Sequence, residues 1–204
     1  PLLCICTALL LPQGLCAQSN TNQFAFIAKL DNDYFTGTDY YYTNGAEMGI
    51  LLQPAHEVNR NYQFTISQDI YTPSSITDQS FRVNDHPYAG LLKVQANRIL
   101  FQPDKNFRSQ HFIDLGVLGP SARAAETQTW FHRLTRDPIP QGWHHQVHTK
   151  VIVNYGNFFE KRMFNLLDRV ESLVGGGIFL GTLKSGLDVT VKGRLGLLQP
   201  YFIS

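Results

Sequence analysis

Residues 30–45 read LDNDYFTGTDYYYTNG, and this short stretch concentrates chemistry. Asp31, Asn32 and Asp33 set two carboxylates around an amide, and Asp39 follows just before Tyr40, Tyr41 and Tyr42. Hard oxygen donors of this sort suit a calcium ion. They equally suit a strand end passing into an Asx-rich turn, and Thr43-Asn44-Gly45 carries a turn signal. A solvated loop accounts for the acids and leaves three consecutive tyrosines without a reason.

Three other clusters could do chemistry. Gln68-Asp69-Ile70-Tyr71-Thr72-Pro73 and Asp85-His86-Pro87-Tyr88-Ala89-Gly90 each place polar groups at a strand end beside a proline. They read either as hairpin punctuation or as the walls of a site. His132 lies in TQTWFHRL with Gln128 four residues earlier on the same helical face. It is either a base active near neutral pH or a structural side chain. Gly142-Trp143-His144-His145-Gln146 offers two adjacent histidines, which on a strand point to opposite faces and do not share an ion. A loop or rim position suits that segment better. The chain has no G-x-S-x-G, P-loop, H-E-x-x-H or Cys/His zinc spacing, so a nucleophile-elbow hydrolase is unsupported.

The elements that must position these residues are short alternating segments. Phe24, Phe26 and Leu30 oppose Lys29, Asp31 and Asp33; Leu187, Val189, Val191 and Leu195 oppose Asp188, Thr190, Lys192 and Arg194. This is the period-two pattern of strands with one apolar and one polar face. We expect strands near 23–33, 42–53, 61–71, 89–101, 108–118, 148–160, 168–180 and 186–198. From Pro120, PSARAAETQTWFHRL is rich in helix formers and is ended by Pro138 and Pro140, with Trp130, Phe131 and Leu134 as its apolar stripe.

Periodicity alone fits a soluble β-sandwich or lipocalin-like barrel, and equally a lipid-facing barrel with its apolar side outward. Three features favour the membrane. The segments have bilayer-crossing length. A sealed core would hardly tolerate Asp188, Lys192 and Arg194 on one strand face. Aromatics cluster at segment ends, as at Tyr40–Tyr42 and Phe158-Phe159, where an interfacial girdle would lie.

Composition agrees. Charged residues make up 16 % of 204 residues, with 14 Phe, 9 Tyr and a net charge of +1, which gives no bulk attraction to nucleic acid. The run LLCICTALLLP followed by QGLCAQSN reads as a signal peptide over residues 1–17 whose start is truncated, and the mature chain would begin near Gln18. An acylated Cys16 is the alternative reading. All three cysteines fall in the removed segment, so no disulfide or thiolate site is expected in an exported chain.

Taken in order, LDNDYFTGTDYYYTNG, QDIYTP, HPYAG, LGVLGPSA…TQTWFHRL and GWHHQ resemble the outer-membrane lipid A 3'-O-deacylase family over roughly residues 23–198. The resemblance implies an all-β, antiparallel transmembrane barrel of twelve strands, about eight of them present here, with a short helical insert near 121–135. It implies calcium-dependent removal of the 3'-acyloxyacyl group of lipid A in the outer membrane. Asn32, Asp33 and Thr43 match active-site positions, with Asp33 and Asn32 toward calcium. His132 matches the base that activates water. Arg82 and Tyr42 are the candidates for contact with the lipid A headgroup. The departures are Asp78 near where the family can use a lysine, with Arg82 the only base in that loop. Asp137-Pro138 stands where the family has an acid, and eight strands stand for twelve, which suggests that the C-terminus is truncated. A non-enzymatic barrel (porin or scaffold) and a soluble periplasmic lipid-binding barrel are the alternatives.

Overall fold

In the computed structural model, residues 21–32, 41–80 and 84–202 are described. Asp33, Arg82 and the expected signal segment lie outside the described residues. Eight strands follow one another: β1 (Gln23–Asn32), β2 (Tyr41–Gln53), β3 (Arg60–Thr72), β4 (Ala89–Gln102), β5 (Phe107–Leu118), β6 (Lys150–Leu166), β7 (Val170–Gly181) and β8 (Gly186–Leu195). Each pairs antiparallel with its chain neighbours, so strand order equals sequence order. The periodic segments therefore mark the strands. β6 outruns its expected end, because a bulge between Arg162 and Phe164 lets pairing continue where the alternation is lost.

The two faces of this sheet are inverted relative to a soluble protein. Phe26, Leu187 and Val189 are each 80 % exposed, and Ile66, Val94, Ile113, Val153 and Ile178 share their face. On the other face Thr65, Ser67, Asn97, Asp114, Asn154 and Glu160 are buried. Some of these side chains pair across the face: Gln95 Nε2 donates to Asp114 Oδ1 (2.7 Å) and Asn154 Nδ2 to Asp114 Oδ2 (3.4 Å). The apolar outer face and polar inner face are those of a membrane barrel wall, and the soluble-barrel alternative falls with them. Among the described residues no helix is long and apolar enough to cross a membrane; the crossing is done by strands.

The ends of the strands also differ. Short turns at 54–59, 103–106 and 167–169 join one end, while connections at 73–88 and 119–149 emerge from the other. In outer-membrane barrels the short turns face the periplasm. The 119–149 connection carries a 3₁₀ turn over Pro120–Ala122 and then helix α1 (Ala124–Thr135). The expected helix thus starts later than Pro120, because Arg123 adopts a left-handed conformation (φ 58°) that separates the two.

Candidate active site

The site is built where α1 lies against the outer face of the wall. Pairing aligns Asn32 with Asn44, Asn44 with Ile70, and Ile70 with Gly90 in one row across β1–β4. Ile70 has the parity of the exposed Phe64 and Ile66, so this row belongs to the outer face, yet Ile70 is buried. What buries it is the loop domain: Ile70, Tyr88, Ala124 and Trp143 form one cluster. Gly90 is required there, because a Cβ on it would sit 2.3 Å from the Cβ of Ala124. Gly119 N–H donates to the Gly90 carbonyl (2.8 Å) and Gln68 Nε2 to the Ala122 carbonyl (2.6 Å), pinning the start of the insert to the wall. At the solvent-exposed start of α1, the Arg123 guanidinium beside Glu126 (2.7 Å) holds that carboxyl below its ordinary range.

The buried face of α1 is Ala124, Gln128 and His132, a single i, i+4 stripe. Trp143 Nε1 donates to Gln128 Oε1 at 2.9 Å, while Gln128 Nε2 has no hydrogen-bond partner among the described residues. His132 Nδ1 lies 2.7 Å from the Pro138 carbonyl oxygen. A carbonyl only accepts, so Nδ1 carries the proton and Nε2 is the basic nitrogen of the neutral ring.

On β2 a bulge between Tyr42 and Asn44 takes Thr43 out of the regular ladder. Thr43 and Thr72 are both buried, and their hydroxyl oxygens lie 2.7 Å apart. Asn44-Gly45 makes no turn; it continues β2, with Gly45 forced because a Cβ there would meet the Tyr42 hydroxyl.

The family model for outer membrane protein LpxR matches residues 2–204. This chain belongs to the LpxR family. Among solved structures, LpxR from Salmonella typhimurium matches with a TM-score of 0.68 at 19 % identity, covering 78 % of this chain. The present chain spans 59 % of that structure's chain. At that identity the likeness shows the fold, an outer-membrane barrel. No curated protein matches the sequence significantly.

Within this LpxR-family wall, the candidates fall on two sides. Thr43 and His132 are buried at the end with the long loops, Thr43 in the bulge beside the Asn44–Ile70 pair and His132 on the helix face that packs on Ile70; the backbone of Asn32 continues the same row. Tyr42 is on the opposite face: it pairs with Tyr71 and hydrogen-bonds Asp69, which has the parity of the inner Thr65 and Ser67. Asp31 also faces inward, opposite Gly45, and pairs with Lys29 at 2.7 Å. Asp31 therefore lies on the face away from Ile70 and α1.

Two expectations about the insert need correction. Trp130 and Leu134 are not its packing stripe; they are 63 % and 66 % exposed, and the wall is met by small and polar residues instead. Trp143 is not a rim aromatic; it is buried against Tyr88 with ring centroids 4.7 Å apart. The acid expected after the histidine is not on the ring either. Asp137 accepts from Thr135, and the Pro138 backbone carbonyl orients His132. No individual site role is assigned from the sequence to Thr72, to Gly90 or to the Pro138 carbonyl. Thr72 and Gly90 lie inside QDIYTP and HPYAG, whereas a backbone acceptor has no sequence signal.

Calcium needs oxygen donors, usually with carboxylate charge. The described side chains at this corner offer the Thr43 and Thr72 hydroxyls, and among the described residues no cluster of three His, Cys, Asp or Glu forms. The described oxygen donors are neutral hydroxyls, and the carboxylate that a calcium site needs is assigned to Asp33 by the family resemblance alone.

Proposed function

We propose that this LpxR-family chain belongs to a calcium-dependent hydrolase that removes the 3'-acyloxyacyl group of lipid A in the outer membrane. The observation that carries this reading is the orientation of His132. Its Nδ1–H is committed to the Pro138 carbonyl, and its basic Nε2 sits on a helix face clamped to the lipid-facing wall. A base there meets an ester at the outer leaflet rather than in the lumen.

In the proposed reaction Nε2 of His132 takes a proton from water as the water oxygen attacks the ester carbonyl. The tetrahedral intermediate collapses by breaking the acyl C–O bond, and the imidazolium returns the proton to the leaving alkoxide. The Pro138 carbonyl keeps the ring in one tautomer throughout. Asp33, with Asn32, would hold the calcium ion, which supplies positive charge for the developing oxyanion. Thr43 is a neighbouring polar group able to hold water or substrate. Arg82 is proposed to reach the anionic headgroup from the 73–88 loop. Tyr42, through the wall from His132, is left a contact at the rim.

The test is mass spectrometry of lipid A from cells that express the full-length gene, with calcium or with chelator, beside His132→Ala. Loss of the 3'-acyloxyacyl mass that needs both calcium and His132 is the expected result. Unchanged lipid A, with the protein shown folded in the outer membrane, overturns it.

A further inference from the structure

The outer face of the wall carries cations with no partner among the described residues, Lys161 near its periplasmic edge and Arg98 beside a groove. Arg98 on β4 is exposed and has no hydrogen-bond or ion-pair partner among the described residues. Its parity is that of Val94 and Ala96, so it points toward lipid. It lies four residues before the strand ends at Gln102, roughly 10 Å from the periplasmic turn along the wall. Arg60, lower on the same face, is paired with Glu57 at 3.0 Å, and Tyr62 Oη donates to the other oxygen of that carboxylate at 2.9 Å. Both oxygens of that carboxylate are therefore already engaged.

The neighbours of Arg98 complete an amphiphile-shaped surface. Pairing places Tyr62, Arg98, His111 and Asn157 in one row across β3–β6. The His111 ring is held in place, with Nδ1 at 2.8 Å from Asn157 Nδ2 and 3.1 Å from Tyr155 Oη. The next row toward the bilayer centre is Phe64, Ala96, Ile113 and Tyr155. Between these rows runs a groove of about 210 Å³ lined by both. A polar row at interface depth under an apolar row matches a headgroup and the first part of an acyl chain.

We propose that this groove binds a glycerophospholipid of the periplasmic leaflet, its phosphate on Arg98 and its acyl chain over Phe64 and Ile113. A charge in a lipid-facing position needs a counter-charge at the headgroup level, and a long side chain can reach it. Lipid A is the other membrane phosphate, but it belongs to the leaflet at the far end of the wall, where α1 lies.

The test is native mass spectrometry of the full-length protein released from detergent micelles doped with dioleoyl phosphatidylethanolamine, with dioleoylglycerol, or with lipid A. Wild type should retain the phospholipid and not the diacylglycerol. Arg98→Gln should retain it roughly five- to tenfold less, the loss expected for one basic residue at a lipid phosphate, and Arg98→Lys should keep most of it. Unboiled gels establish that each variant is folded. Equal phospholipid retention by wild type and Arg98→Gln overturns the proposal, as does equal retention of diacylglycerol. A lipid A adduct lost with Arg98→Gln overturns the assignment to the periplasmic leaflet.

Discussion

Two regions of this wall bury polar groups, and they do so to opposite effect. On the inner face toward the periplasmic end, Glu160 is 1 % exposed and Glu171 3 %. Glu160 meets Lys192 with one oxygen and Arg108 (3.4 Å) and Tyr201 (3.0 Å) with the other. Glu171 meets Arg194 with one oxygen and Arg162 (3.6 Å) with the other. Every carboxylate oxygen there has a cationic partner. Under α1 on the outer face, Gln128 is buried with an unpartnered Nε2, and His132 is buried with its acidic N–H committed and its basic nitrogen turned from that bond. Carboxylates met by a cation on every oxygen fix shape, even though Arg108 Nε lacks a partner there, whereas an amide donor left unpartnered beside a histidine under a helix can meet something that arrives. On the proposed reading the outer-face corner carries the chemistry and the inner network the stability.

The largest effect expected is on the outer side. His132→Ala should lower deacylation by about 10²–10⁴-fold, the contribution of a positioned base, while the folded band on unboiled gels stays where it was. If the variant instead lost the folded band, His132 would belong with the structural network and the contrast would fail. On the inner side the order reverses. Glu160→Ala leaves Lys192 and Arg108 facing each other without an anion. It should destabilise the barrel by about 3 kcal/mol, at the lower end for breaking a buried pair because Lys192 keeps contact with water. The urea midpoint for loss of the folded band measures this, and the rate per folded molecule should not change.

A smaller change tests the seam between the two regions. Gly90→Ala places a methyl against Ala124, where 2.3 Å is too close for any real contact. Lifting the helix should cost about 1–3 kcal/mol of docking, read as a lower deacylation rate with unaltered barrel unfolding. A variant with wild-type rate would mean that α1 does not need its seat on the wall.

The strands were legible because period-two alternation survives whichever face is buried. The direction of the faces was legible too. Asp188, Lys192 and Arg194 on one side of β8 made a dry core untenable, and Lys192 and Arg194 indeed reach Glu160 and Glu171. The docking face of α1 was not legible. Counting apolar residues nominates Trp130 and Leu134, yet both stay exposed. Close approach of small residues such as Ala124 and Gly90 governs instead. At the site, residue type and motif order pointed to His132 and Thr43. The bulge that releases Thr43 and the Pro138 carbonyl that orients His132 are backbone events, which side-chain patterns do not encode.

The smallest effect is the most discriminating for Gln128. Trp143→Phe keeps an aromatic ring against Tyr88 and removes the Nε1–H that Gln128 Oε1 accepts at 2.9 Å, together with part of the buried indole. The lost hydrogen bond should cost about 1 kcal/mol. If that bond serves only to hold the loop, the cost appears in unfolding and the rate is untouched. If it aims the Gln128 amide so that Nε2 meets substrate or water beside His132, kcat should fall about fivefold with KM little changed, the same energy now read in the transition state. Gln128→Glu separates the cases further. It keeps the acceptor for Trp143 and replaces the amide donor at the cost of burying a carboxyl, so the rate is read per folded molecule, and a loss beyond that of Trp143→Phe means that the donor is used in the reaction.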